Sequence, residues 1–163
     1  MRSPKEIVDT MMKKDAFSNW LGIRILHIDK GTCVLEATVN HNMLNGFDIG
    51  HGGISYALSD SALAFSANTN GYKCVSIESS ISHIRPIQID DILTVKSEEI
   101  HRGRTIAIYS VEIINQKSKL ISKFKGKNKY FLDYKIDKLE SIGFVLESKI
   151  NDEIVLEEYN NIK

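Results

Sequence analysis

Residues 54–70 read ISYALSDSALAFSANTN. The run is rich in Ala and Leu, contains neither Gly nor Pro, and stops at Asn70-Gly71, which together predict a helix with a defined C-terminal end. At 1.5 Å per residue such a helix is roughly 25 Å long. On a wheel of 100° per residue, Ile54, Leu58, Ala62 and Phe65 form one face, with Tyr56, Leu63 and Ala67 roughly opposite and Ala57 and Ala64 filling a third sector. Ser55, Ser59 and Ser66 make the one polar stripe, and their side chains are small. A helix apolar nearly all round belongs in a core, and a sheet must wrap it.

The flanking sequence supplies that sheet. From Tyr72 onward the apolar period becomes two, over Lys73 to Ile84, Ile92 to Ile100, Arg104 to Ile114 and Lys119 to Phe131. Pro86, Asp90-Asp91, Arg102-Gly103 and Asn115 to Ser118 break these runs as turn signals. Before the helix, Gly22 to Asp29 and Thr32 to Asn40 read as an antiparallel hairpin turning at Lys30-Gly31, with Cys33, Leu35, Ala37 and Val39 on one side. Pro4 to Trp20 reads as a short amphipathic helix. The expected architecture is α+β, a curved antiparallel sheet around one long central helix. Residues 1–131 form one domain, opened by an N-terminal helix within 1–20. Residues 132–163 form a C-terminal extension of unknown structure, either a hairpin turning at Ile150-Asn151-Asp152 or a helix with a tail.

A chain of 163 residues, 42% hydrophobic, is large enough for one domain with a full core. Its 21 basic and 21 acidic residues cancel, which leaves no global field to hold nucleic acid. Cys33 and Cys74 form no CxxC pair and read as two buried thiols in a reducing compartment. Met1 to Trp20 has no apolar leader core, and no apolar run approaches the roughly 20 residues of a membrane span. A soluble cytoplasmic protein, with no membrane or nucleic-acid partner, is expected. The five histidines share no metal-ligand spacing, so no metal and no cofactor are expected.

One residue on the helix does not fit a core. Asp60 is the sole charge between His51 and Lys73, and it lies between the Tyr56/Leu63 and Ala57/Ala64 sectors, away from the serine stripe. Burying a carboxylate is costly and raises its pKa. It either meets a protein partner such as an arginine, emerges at a subunit boundary, or carries chemistry. In front of the helix lies a glycine-rich loop, Asn45 to Gly53, with Gly46, Gly50, Gly52 and Gly53. If the helix starts near His51 or Gly52, its free N–H groups face that loop and form a site for a developing oxyanion. A tight turn is the ordinary reading of such a loop. Asn45 either adds an amide donor or serves the Asn45-Gly46 turn.

Met43-Leu44-Asn45-Gly46, His51-Gly52-Gly53, Leu58-Ser59-Asp60 and the Asn68 to Gly71 stop resemble the signature of the hotdog-fold acyl-CoA thioesterases, phenylacetate-degradation type. Leu21-Gly22-Ile23, Ile84-Arg85-Pro86, Gly103-Arg104-Thr105 and Phe124-Lys125-Gly126 extend the resemblance over roughly Asp15 to Phe131. It implies the hotdog fold and hydrolysis of aryl-acetyl-CoA or a related acyl-CoA to free acid and CoA. It also implies roles residue by residue. Asp60 acts as general base or nucleophile, Gly52 N–H polarises the thioester carbonyl, Asn45 holds water or the carbonyl, and Ser76 positions water. In such proteins the carboxylate and the loop come from different subunits of a homodimer, which often pairs into a homotetramer. His51, Gly53, Arg85, Pro86, Gly103 and Arg104 are expected around the substrate. Arg85, Arg102, Arg104 and the lysines of 117–129 are candidates for the CoA phosphates, although His51 also reads as a helix cap. His83 departs from the aromatic usual before Arg-Pro, Ser59 from the small apolar residue before the aspartate, and the segment after Phe131 has no counterpart.

Two other classes compete. A non-catalytic acyl-CoA sensor has no need of Asp60 and usually carries a DNA-binding helix-turn-helix, for which the first 20 residues are too short. A hotdog dehydratase relies on a histidine–carboxylate pairing that the sequence does not display.

Overall fold

The computed structural model of the protein describes residues 2–136. Two short helices lead in: α1 (Pro4–Lys14) and α2 (Ala16–Trp20). The sequence predicts one helix here, but Asp15 divides it. Its Oδ1 accepts from Ser18 N–H at 2.9 Å and its Oδ2 from Ser18 Oγ at 2.6 Å. A short acidic side chain competes with the helix ladder for backbone N–H groups and so restarts the helix.

The sheet comprises β1 (Arg24–Asp29), β2 (Thr32–Thr38), β3 (Tyr72–His83), β4 (Ile92–Arg102), β5 (Ile106–Ile114) and β6 (Leu120–Lys135). Its order is β1-β2-β4-β5-β6-β3, every pairing antiparallel. β6 runs beyond Phe131, and Lys135 pairs with Tyr72. Both proposals for residues 134–163 fall almost wholly outside the described residues. The connection from β2 to β3 carries the long helix α3 (Gly52–Asn68), which the sheet embraces on its concave face.

Alternation decides what faces α3. On β5, Ala107, Tyr109, Val111 and Ile113 are fully buried, and on β2 so are Cys33 and Leu35. They pack with Leu58, Ala62, Leu63 and Phe65 of the helix in one core. The close approach of α3 to β6 depends on Gly126. A Cβ there would lie 2.5 Å from Leu63 Cδ2, a hard overlap. Cys33 and Cys74 are free and buried, with burial pushing their thiols up to about 12 and about 11.

The serine stripe turns inward. Ser55, Ser59 and Ser66 are fully buried, and the hydroxyls of Ser55 and Ser66 donate back to Gly52 O (2.9 Å) and Ala62 O (2.8 Å). A serine that bonds its own helix backbone costs little in a core. The face left partly open is instead Tyr56, Ala57, Asp60 and Ala64. It lies beside β3, which pairs with β6 along one side only among the described residues. On β3 the side chains of Val75 and Ile77 are also exposed.

Candidate active site

The loop before α3 is shaped by its own backbone. Asn45 N–H donates to Ile49 O at 2.8 Å, and a single bridge joins Leu44 to Gly50. Asn45 Oδ1 accepts from Phe47 N–H at 2.8 Å, a bond that uses the amide oxygen and does not consume the NH2 donors. The turn role and the donor role foreseen for Asn45 are therefore compatible. Gly50 N–H donates to Ile87 O at 2.8 Å, and a Cβ on Gly50 would stand 2.7 Å from Ile87 Cβ. Only glycine lets this loop lie against the segment after β3.

His51 is the N-cap of α3, its Nδ1 accepting from Gly53 N–H at 2.9 Å. Its ring and the Gly53 N–H are thereby engaged with each other. Gly52, as the first residue of the helix, has its N–H outside the i to i−4 ladder. The positive end of the helix dipole adds to that donor.

Around it is a pocket of about 400 Å³ lined by Asn45, Gly50, Gly52, Ser55, His83, Arg85 and Pro86, with Ile49, Ile84 and Ile87 as its aliphatic wall. Of the residues expected at a site, Asn45, Gly52, Arg85 and Pro86 are gathered here. Arg85 lines the pocket while its Nη1 donates to Leu120 O at 2.7 Å. His83 and Ser55 are lining residues that sequence reasoning did not assign to the site. The departure at His83 from an aromatic was their one signal.

Asp60 and Ser76 form a second group. Ser76 Oγ donates to Asp60 Oδ1 at 3.2 Å. Burial of the carboxyl pushes its pKa above the ordinary carboxylate value, and the Ser76 hydrogen bond partly offsets that rise. No arginine or lysine is paired with it among the described ion pairs. The two groups do not share a cavity within one chain. Eight helical residues separate Gly52 from Asp60, a rise of about 12 Å.

The remaining expected residues lie elsewhere. Gly103 N–H donates to Ile106 O at 2.8 Å in the β4–β5 turn, and both Gly103 and Arg104 are exposed there, away from the pocket lining. Arg102 is not free for a phosphate. Its Nε donates to Glu99 Oε1 and its Nη2 to Tyr130 Oη, each at 2.8 Å, with the guanidinium 4.4 Å over the Tyr130 ring. Tyr130 Oη in turn donates to Ala67 O at 3.1 Å, so this cluster secures the C-terminal end of α3 to the sheet. No group of three His, Cys, Asp or Glu side chains suited to a metal occurs among the described residues. Nor is any described helix long and apolar enough to cross a membrane.

The sequence model of the thioesterase superfamily matches residues 47–122, from the loop through β6's first residues. Over 118 residues the chain is 36% identical to the acyl-coenzyme A thioesterase PaaI of Escherichia coli, covering 72% of this chain and 84% of that one. The chain belongs to the thioesterase superfamily. It is a thioester hydrolase with the hotdog fold. The solved structure of the E. coli PaaI protein from the phenylacetic acid degradation operon superposes with a TM-score of 0.77 at 34% identity, over 78% of this chain and 93% of that one. A hypothetical thioesterase from Streptococcus pneumoniae, solved with coenzyme A, gives a TM-score of 0.71 at 28% identity, over 75% and 95%.

Proposed function

We propose that this thioesterase hydrolyses acyl-CoA, aryl-acetyl-CoA or a related acyl group, to free acid and CoA at a site shared by two copies of the chain. The observation that carries this reading is the split within one chain. The donor pocket is at the N-terminus of α3, while the one carboxylate is two turns on, half-buried on the helix face beside the open edge of β3. Pairing of two β3 edges about a two-fold axis covers Val75 and Ile77 and completes the hydrogen bonds of that edge. It also carries Asp60 of the partner subunit toward the Gly52 pocket. Further pairing of dimers into a homotetramer is part of the same proposal.

In this arrangement the thioester oxygen accepts from Gly52 N–H, with the Asn45 amide as a second donor or as the holder of water. Asp60 takes a proton from water, held also by Ser76, as that water adds to the carbonyl. The tetrahedral oxyanion then collapses, the C–S bond breaks, and CoA leaves as thiolate to be protonated from solvent. A direct attack by Asp60, giving a mixed anhydride that water hydrolyses, uses the same atoms. Desolvation suits either role, because a carboxylate with a raised pKa is the stronger base. Arg85 at the pocket and Arg104 on its turn are the proposed contacts for CoA phosphates, with His51, Gly53, Pro86 and Gly103 shaping the approach.

The test is CoA release from a panel of aryl-acetyl and straight-chain acyl-CoA thioesters. Asp60→Asn and Asp60→Ala are expected to lose a factor of roughly 10² or more in kcat. Full activity in either variant, or none in the wild type, rejects the mechanism. The second reading, an acyl-CoA-binding module without turnover, is the one favoured if ligand binds and wild type releases no CoA.

A further inference from the structure

Three contacts define the environment of His83, at the end of β3. Ser55 Oγ lies 2.9 Å from Gly52 O and 3.2 Å from His83 Nδ1. The Cε1–Nε2 edge of the imidazole is 3.3 Å from the point a Cβ on Gly52 would occupy. A hydroxyl has one proton, and a carbonyl can only accept. Both Ser55 contacts are hydrogen bonds in one assignment: the hydroxyl donates to Gly52 O, and His83 Nδ1–H donates to the hydroxyl oxygen. Ser55 thereby sets the tautomer of the neutral ring. Nε2 is left with its lone pair, on the ring edge that lies against Gly52 in the wall of the pocket.

An acceptor beside the Gly52 N–H donor is not neutral toward substrate. The oxyanion cannot use it, since a lone pair repels negative charge. A hydroxyl on the acyl chain can. Nε2 lies 3.3 Å from the point a Cβ on Gly52 would occupy, and both residues line the same pocket, so the hydroxyl that fits this pairing is one on the first carbons after the carbonyl held by Gly52 N–H. The rest of that wall is Ile49, Ile84, Pro86 and Ile87, which suits an otherwise apolar acyl group.

We propose that His83, oriented by Ser55 and facing Gly52 across the pocket wall, is a specificity-determining residue that selects 2- or 3-hydroxyacyl thioesters over the unsubstituted chain. The inference rests on the reading of the Gly52 pocket as the thioester site. One neutral hydrogen bond to the hydroxyl predicts a preference of roughly five- to tenfold.

The experiment compares kcat/KM for 2-hydroxybutyryl-CoA, 3-hydroxybutyryl-CoA and butyryl-CoA in wild type, His83→Phe and Ser55→Ala. Wild type is expected to favour one hydroxylated substrate by that factor, with the ratio falling to about one in His83→Phe and part of the way in Ser55→Ala. Absence of a preference in wild type overturns the proposal. So does a preference that persists in His83→Phe, including a loss of rate shared equally by all three substrates, which is what an imidazolium donating to the oxyanion would produce. Calorimetric binding of the corresponding ketone analogues, with a methylene in place of the thioester sulfur, separates this from turnover. If no thioester is hydrolysed yet the hydroxylated ketone binds more tightly and loses that advantage in His83→Phe, the His83 assignment stands and the hydrolytic reading falls. Equal binding in both proteins overturns the assignment.

Discussion

Gly52→Pro isolates the proposed oxyanion donor more cleanly than any side-chain change. Gly52 is the first residue of α3, where proline is well tolerated because the missing N–H has no place in the helix ladder. The preceding His51 has φ −60° and ψ 135°, within the extended region that a following proline requires. The ring therefore removes the N–H while leaving the helix start intact. The added Cβ comes 3.3 Å from the His83 ring, a tight contact that an exposed imidazole relieves by a small shift. Gly52→Ala carries the same Cβ and keeps the N–H, and so controls for that crowding. Loss of one such donor costs a factor of about 10²–10³ in kcat, or roughly 2.7–4 kcal/mol. The assay is CoA release under saturating substrate, with thermal unfolding to establish that both variants fold. Mixing Gly52→Pro with Asp60→Asn chains then tests where the site is assembled. Random pairing makes half the dimers mixed, each with one intact composite site, so about a quarter of wild-type activity returns. The reasoning fails if Gly52→Pro stays within tenfold of Gly52→Ala, or if the mixture remains as inactive as its components.

Other outcomes follow from the same geometry. Asp60 must be ionised to act as a base, so kcat/KM falls as pH drops through its raised pKa. Removing the hydrogen bond that lowers that pKa, with Ser76→Ala, shifts the acid limb of the pH–rate profile to higher pH; a shift to lower pH contradicts the assignment. The same raised pKa means that ionised Asp60 destabilises the fold. Its cost is absent below the unfolded-state pKa and grows as pH rises through the folded value, so Asp60→Asn is expected to match or exceed wild type in Tm at neutral pH. Gly126→Ala drives a methyl into Leu63 and is expected to cost about 1–3 kcal/mol in urea unfolding, with a smaller penalty when Leu63→Ala opens the space. Cys33 and Cys74, with thiols pushed up to about 12 and about 11, are expected to react with a thiol reagent only after denaturation. Rapid labelling of native protein would show that the core around them opens.

Much of the fold was legible because its signals are local. The period-two runs mark β3 to β6 within a few residues, and Asn70-Gly71 marks the end of the helix closely. The inward set Cys33, Leu35, Ala37 and Val39 follows from alternation alone. The local reading missed in two places. The serine stripe is buried, with the hydroxyls of Ser55 and Ser66 bonding their own helix and that of Ser59 without a hydrogen-bond partner among the described residues. Asp15 split the first helix by taking the N–H of Ser18.

For the site, the sequence alone singled out the groups to which the proposed mechanism assigns chemistry: one carboxylate on an otherwise apolar helix, and a glycine loop at that helix's start. Residue type and spacing suffice there, since helix geometry turns sequence separation into distance. Only the tertiary structure decided which groups meet. It drew Asn45, Gly52, Arg85 and Pro86 into one pocket, added His83 and Ser55, and left Gly103 and Arg104 on the β4–β5 turn, outside that lining. It also engaged Arg102 with Glu99 and Tyr130, and held Asp60 on the open face next to Ser76. Those placements depend on how the sheet curves around α3 and on which strand forms its edge. Such long-range packing leaves no periodicity in the chain for a linear reading to detect.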